Sequence, residues 1–172
     1  MKQLILLLIL LTGCSSQTTT SMQTEQTALS IYQHHYSVVL FQFGQIVHHL
    51  EAAETEQDLA YAKGYMEAFL QSPPNVIAGI IRDDQHAYDK LVAKQLQPYI
   101  EHLFLDLDVY TRYLQKLDTA GIQALKPELA DLYDLERELN DERYQSGEIA
   151  YEKALVRFQE ILRARVEKSS NL

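Results

Sequence analysis

Residues 29–53 read "LSIYQHHYSVVLFQFGQIVHHLEAA". Within them Leu29, Tyr32, Tyr36, Val39, Phe43, Ile46, Leu50 and Ala53 recur at alternating spacings of three and four. An α-helix turns once in about 3.6 residues, so this spacing lays one apolar stripe along a single face. Alternation of this kind is the seam of helices packed nearly parallel or antiparallel to others. Leu40 and Val47 widen the stripe, so the helix meets more than one neighbour. Gly44 costs about 1 kcal/mol relative to alanine, yet the pattern runs straight through it.

Downstream, the seam loses phase at "EAAETEQD", residues 51–58. Thr55 with Asp58 three residues later resembles a capping box, which predicts a second helix over 56–71 carrying Leu59, Ala62, Met66 and Phe69. One continuous helix over 27–71 is the alternative, because no glycine or proline interrupts this stretch. "SPPN", residues 72–75, stops the helix: proline removes donors and forces extended geometry before it. A third helix is expected from Val76, with Ile77, Ile80, Ile81, Tyr88, Leu91 and Val92 on its apolar face. Leu96, Ile100, Leu103, Leu107, Tyr110, Leu114 and Leu117 then repeat the seam in a shifted phase, and Pro98 predicts a kink or short break between the two runs.

"DTAGI", residues 118–122, reads as a loop, and Pro127 suits the first turn of a fourth helix bearing Leu129, Leu132, Leu135 and Leu139. Leu155, Phe158, Leu162 and Val166 mark the last apolar face. Gly147 leaves two readings: a turn at 145–148 before a fifth helix, or one long, bent helix to about Lys168, which we favour. No segment alternates with period two. The expected fold is all-α, an antiparallel helical bundle of four helices, or five, with long coiled-coil-like seams over residues 28–168 and a disordered tail at 169–172.

The N-terminal residues carry a different kind of information. Lys2 precedes an apolar run from Leu4 to Leu11. Eight helical residues rise only about 12 Å, too short for a bilayer core of roughly 30 Å. A basic start, a short apolar centre and small residues read as an export signal. Leu11-Thr12-Gly13-Cys14 resembles the lipobox of bacterial lipoproteins. The resemblance covers the first 14 residues and carries nothing about the domain behind them. It implies diacylglyceryl transfer to the Cys14 thiol, removal of residues 1–13 and a lipid anchor that holds the chain at a membrane. It also implies a bacterial cell envelope location. With Ser15 following the cysteine, that location is the periplasmic face of the outer membrane in a two-membrane cell, and otherwise the outer face of the cytoplasmic membrane. Residues 14–27, rich in Ser, Thr and Gln, then read as the lipidated cysteine and a flexible tether.

Composition narrows the function further. The chain carries 24 acids against 15 lysines and arginines, a formal charge of −9, and loss of Lys2 with the signal would lower it by one. That argues against nucleic acid as a partner and against electrostatic adhesion to anionic lipid. Cys14 is the only cysteine, so its acylation would leave no thiol for a disulfide, a metal or nucleophilic catalysis.

Among candidate chemical groups, His34-His35 and His48-His49 are fourteen residues apart, about 21 Å along a helix, and cannot share one metal. Asp83 with His86, and His48 with Glu51, stand at i, i+3 but depart from the Glu-x-x-His pattern of di-iron bundles. No G-x-S-x-G elbow is present. No catalytic residue, cofactor site or metal ligand is therefore assigned, and Cys14 as lipid attachment is the one named site. The segment from Glu128 to Glu148 holds eight acids against Arg137 and Arg143, a solvated face or a docking surface for a basic partner. Lys153 to Lys168 carries five bases, which favours contact between these consecutive segments. The tyrosine pairs 32/36, 61/65 and 110/113 share helix faces and are expected mostly at the core edge, with some free to recognise a partner. The expected function is a membrane-anchored envelope lipoprotein with a non-enzymatic protein-binding or scaffold role and an envelope protein as partner. A metal- or small-ligand-binding helical bundle is the alternative.

Overall fold

The computed structural model describes residues 16–71 and 85–170. The described residues form an all-α bundle: α1 (Ser16–Ala52), α2 (Glu56–Gln71), α3 (Gln85–Leu91), α4 (Gln97–Gln115), α5 (Thr119–Leu139), a 3-10 turn (Glu142–Gln145) and α6 (Ile149–Ser170). None of these helices is long and apolar enough to cross a membrane. The lipobox-like residues 11–14 with Cys14, the SPPN stretch and the start of the expected third helix with Ile77, Ile80, Ile81 and Asp83 lie outside the described residues.

The seam of residues 29–53 is the centre of the bundle. Tyr32, Tyr36, Leu40, Phe43, Ile46, Val47 and Leu50 are all buried. Their width lets α1 pack on both α2 and α5. α5 runs antiparallel to α1: Ser37 meets Asn140 near one end and Ala53 meets Gln123 at the other. α6 returns antiparallel to α5, and α4 lies beside α6 in the same direction, with Tyr99 opposite Gln159 and Asp106 opposite Arg163. α2 runs antiparallel to α1, with Tyr61 beside His49 and Phe69 beside Phe43, so of the five long helices α1, α4 and α6 run one way and α2 and α5 the other. Apolar faces of α2, α4, α5 and α6 close on one continuous core from Leu59 to Leu162.

The break after α1 is made locally, as the capping-box pattern predicts. Asp58 Oδ2 accepts from the Thr55 amide (2.9 Å) and hydroxyl (2.8 Å), while the Asp58 amide donates back to Thr55 Oγ1 (3.2 Å). Two orphan amides at the helix start are satisfied in this way. The chain also breaks ahead of Pro98, where α3 ends at Leu91 and α4 begins at Gln97. Proline in the first turn of α4 forfeits no helical bond there, since its donor would have no intrahelical partner.

Several sequence expectations are corrected. Residues 16–27, read as a flexible tether, continue α1 as helix. They contain no glycine or proline to stop a helix that the downstream seam already nucleates. "DTAGI" is not a loop: Asp118 caps α5 by accepting from the Gly121 amide (2.8 Å), and helix starts at Thr119. Pro127 therefore sits inside α5, not in its first turn. Residues 169 and 170, placed in a tail, belong to α6.

The long, bent helix through Gly147 is also overturned. α5 ends at Leu139, and α6 begins at Ile149 after Gly147 at φ +65°, a left-handed conformation that favours glycine. Competing side-chain donors make the stop. The Arg143 guanidinium donates to the Glu138 carbonyl (2.8 Å), and the Tyr151 hydroxyl donates to the Leu139 carbonyl (3.0 Å), so the last carbonyls of α5 find partners without further helix. This turn then docks on the α3–α4 break through the Ala93 amide to the Tyr144 carbonyl (3.1 Å) and Gln95 Nε2 to the Gly147 carbonyl (3.0 Å). The two interruptions support each other, which no single-segment reading contains.

Candidate interaction surface

Residues 26–50 contain no Asp, Glu, Lys or Arg. One side of α1 is core, so the other side presents an uncharged strip to solvent. Ile31 and Phe41 stand on that strip, Phe41 at 55% exposure, together with His34. At the far end of the strip the α1–α2 hairpin adds an aromatic patch. Tyr61 is 58% exposed and Tyr65 is also exposed. Their hydroxyls bond to each other at 3.1 Å, and the His49 ring sits 5.1 Å from Tyr61, edge on, and 4.7 Å from Tyr65. His48 turns to the other side of α1 and stacks on Tyr133 of α5 at 4.9 Å, with the Arg137 guanidinium 5.9 Å from that ring.

Partial burial and the neighbouring His48 lower the affinity of His49 for a proton, which keeps its imidazole neutral at physiological pH. Capping lowers the proton affinity of Asp58 as well: hydrogen bonds from Thr55 and Glu54 hold its carboxyl below the usual range and keep it ionised. His49, Ala52, Gln57, Asp58 and Tyr61 together line an open cleft of about 360 Å³. The four histidines of α1 do not form a common site. Among the described residues no three histidine, cysteine or acidic side chains converge as ligands for a metal ion. Asp83, the proposed companion of His86, lies outside the described residues, and His86 itself is exposed.

The acidic segment is less open than its composition implies. Arg165 of α6 binds Glu128 (2.7 Å), and Arg157 binds Asp131 (2.9 Å), so the basic and acidic segments do meet along α5 and α6. Tyr110 also donates to Glu128 (2.8 Å), and Arg143 holds Asp141 (2.6 Å). Glu136 leaves the surface altogether. It is buried against Gly44, where any Cβ would collide with its carboxyl group. Asn140 donates to it (3.0 Å) and in turn accepts from the Ser37 hydroxyl (2.8 Å). Burial raises the Glu136 pKa above the usual carboxylate range, against the opposing pull of Asn140 and Arg137.

The tyrosines depart furthest from expectation. Tyr32, Tyr36, Tyr88, Tyr110, Tyr144 and Tyr151 are fully buried in the core, not at its edge. Tyr36 and Tyr151 share a short hydroxyl–hydroxyl contact, and Tyr36 also packs against Tyr144 and, edge on, Phe104. For Tyr32, Tyr36, Tyr88 and Tyr110, phase in the seams was the available signal. No protein-family model, curated protein sequence or solved structure matches this chain.

Proposed function

We propose that the protein is a lipid-anchored lipoprotein of a bacterial cell envelope whose helical bundle is a non-enzymatic docking module for another envelope protein. The lipobox-like Leu11-Thr12-Gly13-Cys14 supports the anchor. The docking surface is the outer face of α1 with the adjoining patch of α2. The observation that carries this assignment is the uncharged strip of residues 26–50 with exposed Ile31 and Phe41, running into Tyr61 and Tyr65. Exposed aromatic residues grouped with apolar ones are what protein interfaces use as anchors, because they bury large areas with few rotatable bonds. Helix α1 begins two residues after Cys14, so a lipid on that residue would hold this same helix close to the membrane.

Two measurements test the two halves separately. Cells fed an alkyne fatty acid should label the wild-type chain and not Cys14→Ala; labelling that survives the substitution removes the anchor. A photo-crosslinking residue at Phe41 should capture a discrete protein partner in intact envelopes, while one at exposed Leu105 of α4 should not. Equal yields from the two positions would remove the docking surface whatever the outcome at Cys14.

A further inference from the structure

We propose that the cleft between the last turn of α1 and the first turns of α2 binds a quaternary or alkyl-ammonium head, seated on the Tyr61 ring beside the Asp58 carboxylate. This site stands independently of the lipid anchor. Its volume, about 360 Å³, lies within the roughly 300–1,000 Å³ of small-molecule sites, near the lower end. The lining pairs an aromatic ring with a fixed negative charge, and aromatic faces attract cations through their quadrupole.

The carboxylate is pre-positioned. Asp58 Oδ2 takes all three hydrogen bonds, from the Glu54 amide and from the amide and hydroxyl of Thr55. Oδ1 has no hydrogen bond within the protein among the described residues, and it remains available as a counter-charge. The local charge points the same way. No lysine or arginine occurs between Lys2 and Lys63, whereas Glu51, Glu54, Glu56 and Asp58 cluster at this hairpin. Lys63 itself lies about 200° around α2 from Tyr61. His49, neutral at physiological pH, adds a ring and no repulsion. The α1 C-terminus contributes the negative end of its dipole, and the acids offset the positive end of α2.

The same features select against other ligands. A hard divalent cation takes six or more oxygen ligands, or needs several convergent ones, and one carboxylate does not supply them. An anion meets Asp58. A diffuse organic cation needs only a ring face, one counter-charge and a cleft of its own size.

The test compares choline with 3,3-dimethylbutan-1-ol, its neutral isostere, in NMR titrations of the folded chain. Choline should shift the Tyr61, His49 and Asp58 resonances with millimolar affinity, and the neutral alcohol should not. Asp58→Asn keeps an acceptor for the cap, and Tyr61→Leu removes an exposed ring. Each should weaken choline about five- to tenfold with an unchanged circular dichroism spectrum. Glu67→Gln, a charge loss elsewhere on α2, should leave affinity unchanged. Phosphatidylcholine vesicles separate the sources. Cosedimentation abolished by Asp58→Asn assigns a lipid-borne head, whereas choline binding without cosedimentation assigns a free solute. Equal shifts with the two probes, wild-type affinity in both variants, or an equal loss in Glu67→Gln would overturn the site.

Discussion

Tyr32 with Tyr36 and Tyr61 with Tyr65 are the same pattern in sequence, two tyrosines four residues apart on one helix face. In the fold they have opposite fates. The first pair is fully buried, stacked at 6.1 Å between centroids and surrounded by Tyr88, Tyr144 and Phe104. The second pair is exposed and its hydroxyls bond each other. Phase decides. Tyr32 and Tyr36 are members of the α1 seam. Tyr61 and Tyr65 each precede a buried residue of α2, Ala62 and Met66, by one position, which turns them about 100° away from the core. A tyrosine on the seam is core; a tyrosine one step off it is surface, and there its ring is available to a partner.

The largest effect expected from this contrast is on stability. Tyr36→Ala removes a ring packed on all sides and should cost about 3–5 kcal/mol in urea or thermal unfolding. Tyr65→Ala should stay within about 0.5 kcal/mol, the range of ordinary surface changes. Similar losses at both positions would mean that the exposed patch is structural and not a free surface.

A smaller effect is expected at the crossing of α1 and α5. Gly44→Ala places a methyl group on the Glu136 carboxyl and should destabilise by about 1–3 kcal/mol, the usual range for overpacking. Combining it with Glu136→Ala should recover part of that loss, because the colliding atoms are gone; strict additivity would show that the two positions do not touch.

Glu136 adds a pH dependence of known sign. Burial raises its folded pKa above the value of 4.5 for an unperturbed glutamate, so the folded state holds the proton more tightly than the unfolded chain. Its contribution to stability is therefore fully present below the ordinary glutamate range and is lost as pH rises through the raised folded value. Glu136→Gln removes the charge and keeps an acceptor for Asn140. It should be more stable than wild type at neutral pH, with the advantage shrinking toward pH 4.5. Chemical denaturation at several pH values measures this, and a constant difference across the series would exclude Glu136 as the titrating group.

Much of this architecture is legible before any coordinates. The α1 seam, the Thr55–Asp58 cap and the break near Pro98 rest on contacts within about one turn or on a simple periodicity, and the charge match of α5 with α6 shows in the opposite composition of the two segments. What escaped is non-local. The stop at Leu139 depends on Arg143 and Tyr151 reaching back to carbonyls, and on Gly147 closing against Gln95 from a segment 52 residues earlier. Glu136 looked like one more solvated acid because the small residue that admits it, Gly44, lies on another helix. The proposed binding surface was half visible. The tyrosine pairs and histidines stood out, but the cleft exists only because the hairpin folds His49 against Tyr61.

Gly64 offers the smallest and most direct test of the inside–outside division. It belongs to the same sequence class as Gly44, a glycine within a long helix, and the seam passes both without interruption. A Cβ at 64 would meet nothing within 4 Å, whereas one at 44 would strike Glu136. Glycine in an exposed helix costs about 0.5–1 kcal/mol relative to alanine, through its larger loss of backbone freedom on folding. Gly64→Ala should therefore stabilise by about that amount, opposite in sign to Gly44→Ala, as read from paired unfolding curves. Position 64 adjoins Tyr65 on the solvent side, so the gain should come with unchanged choline binding. A loss of stability would show that this side of α2 is covered by something in the folded protein, and it would remove the free surface on which both the docking face and the ammonium site depend.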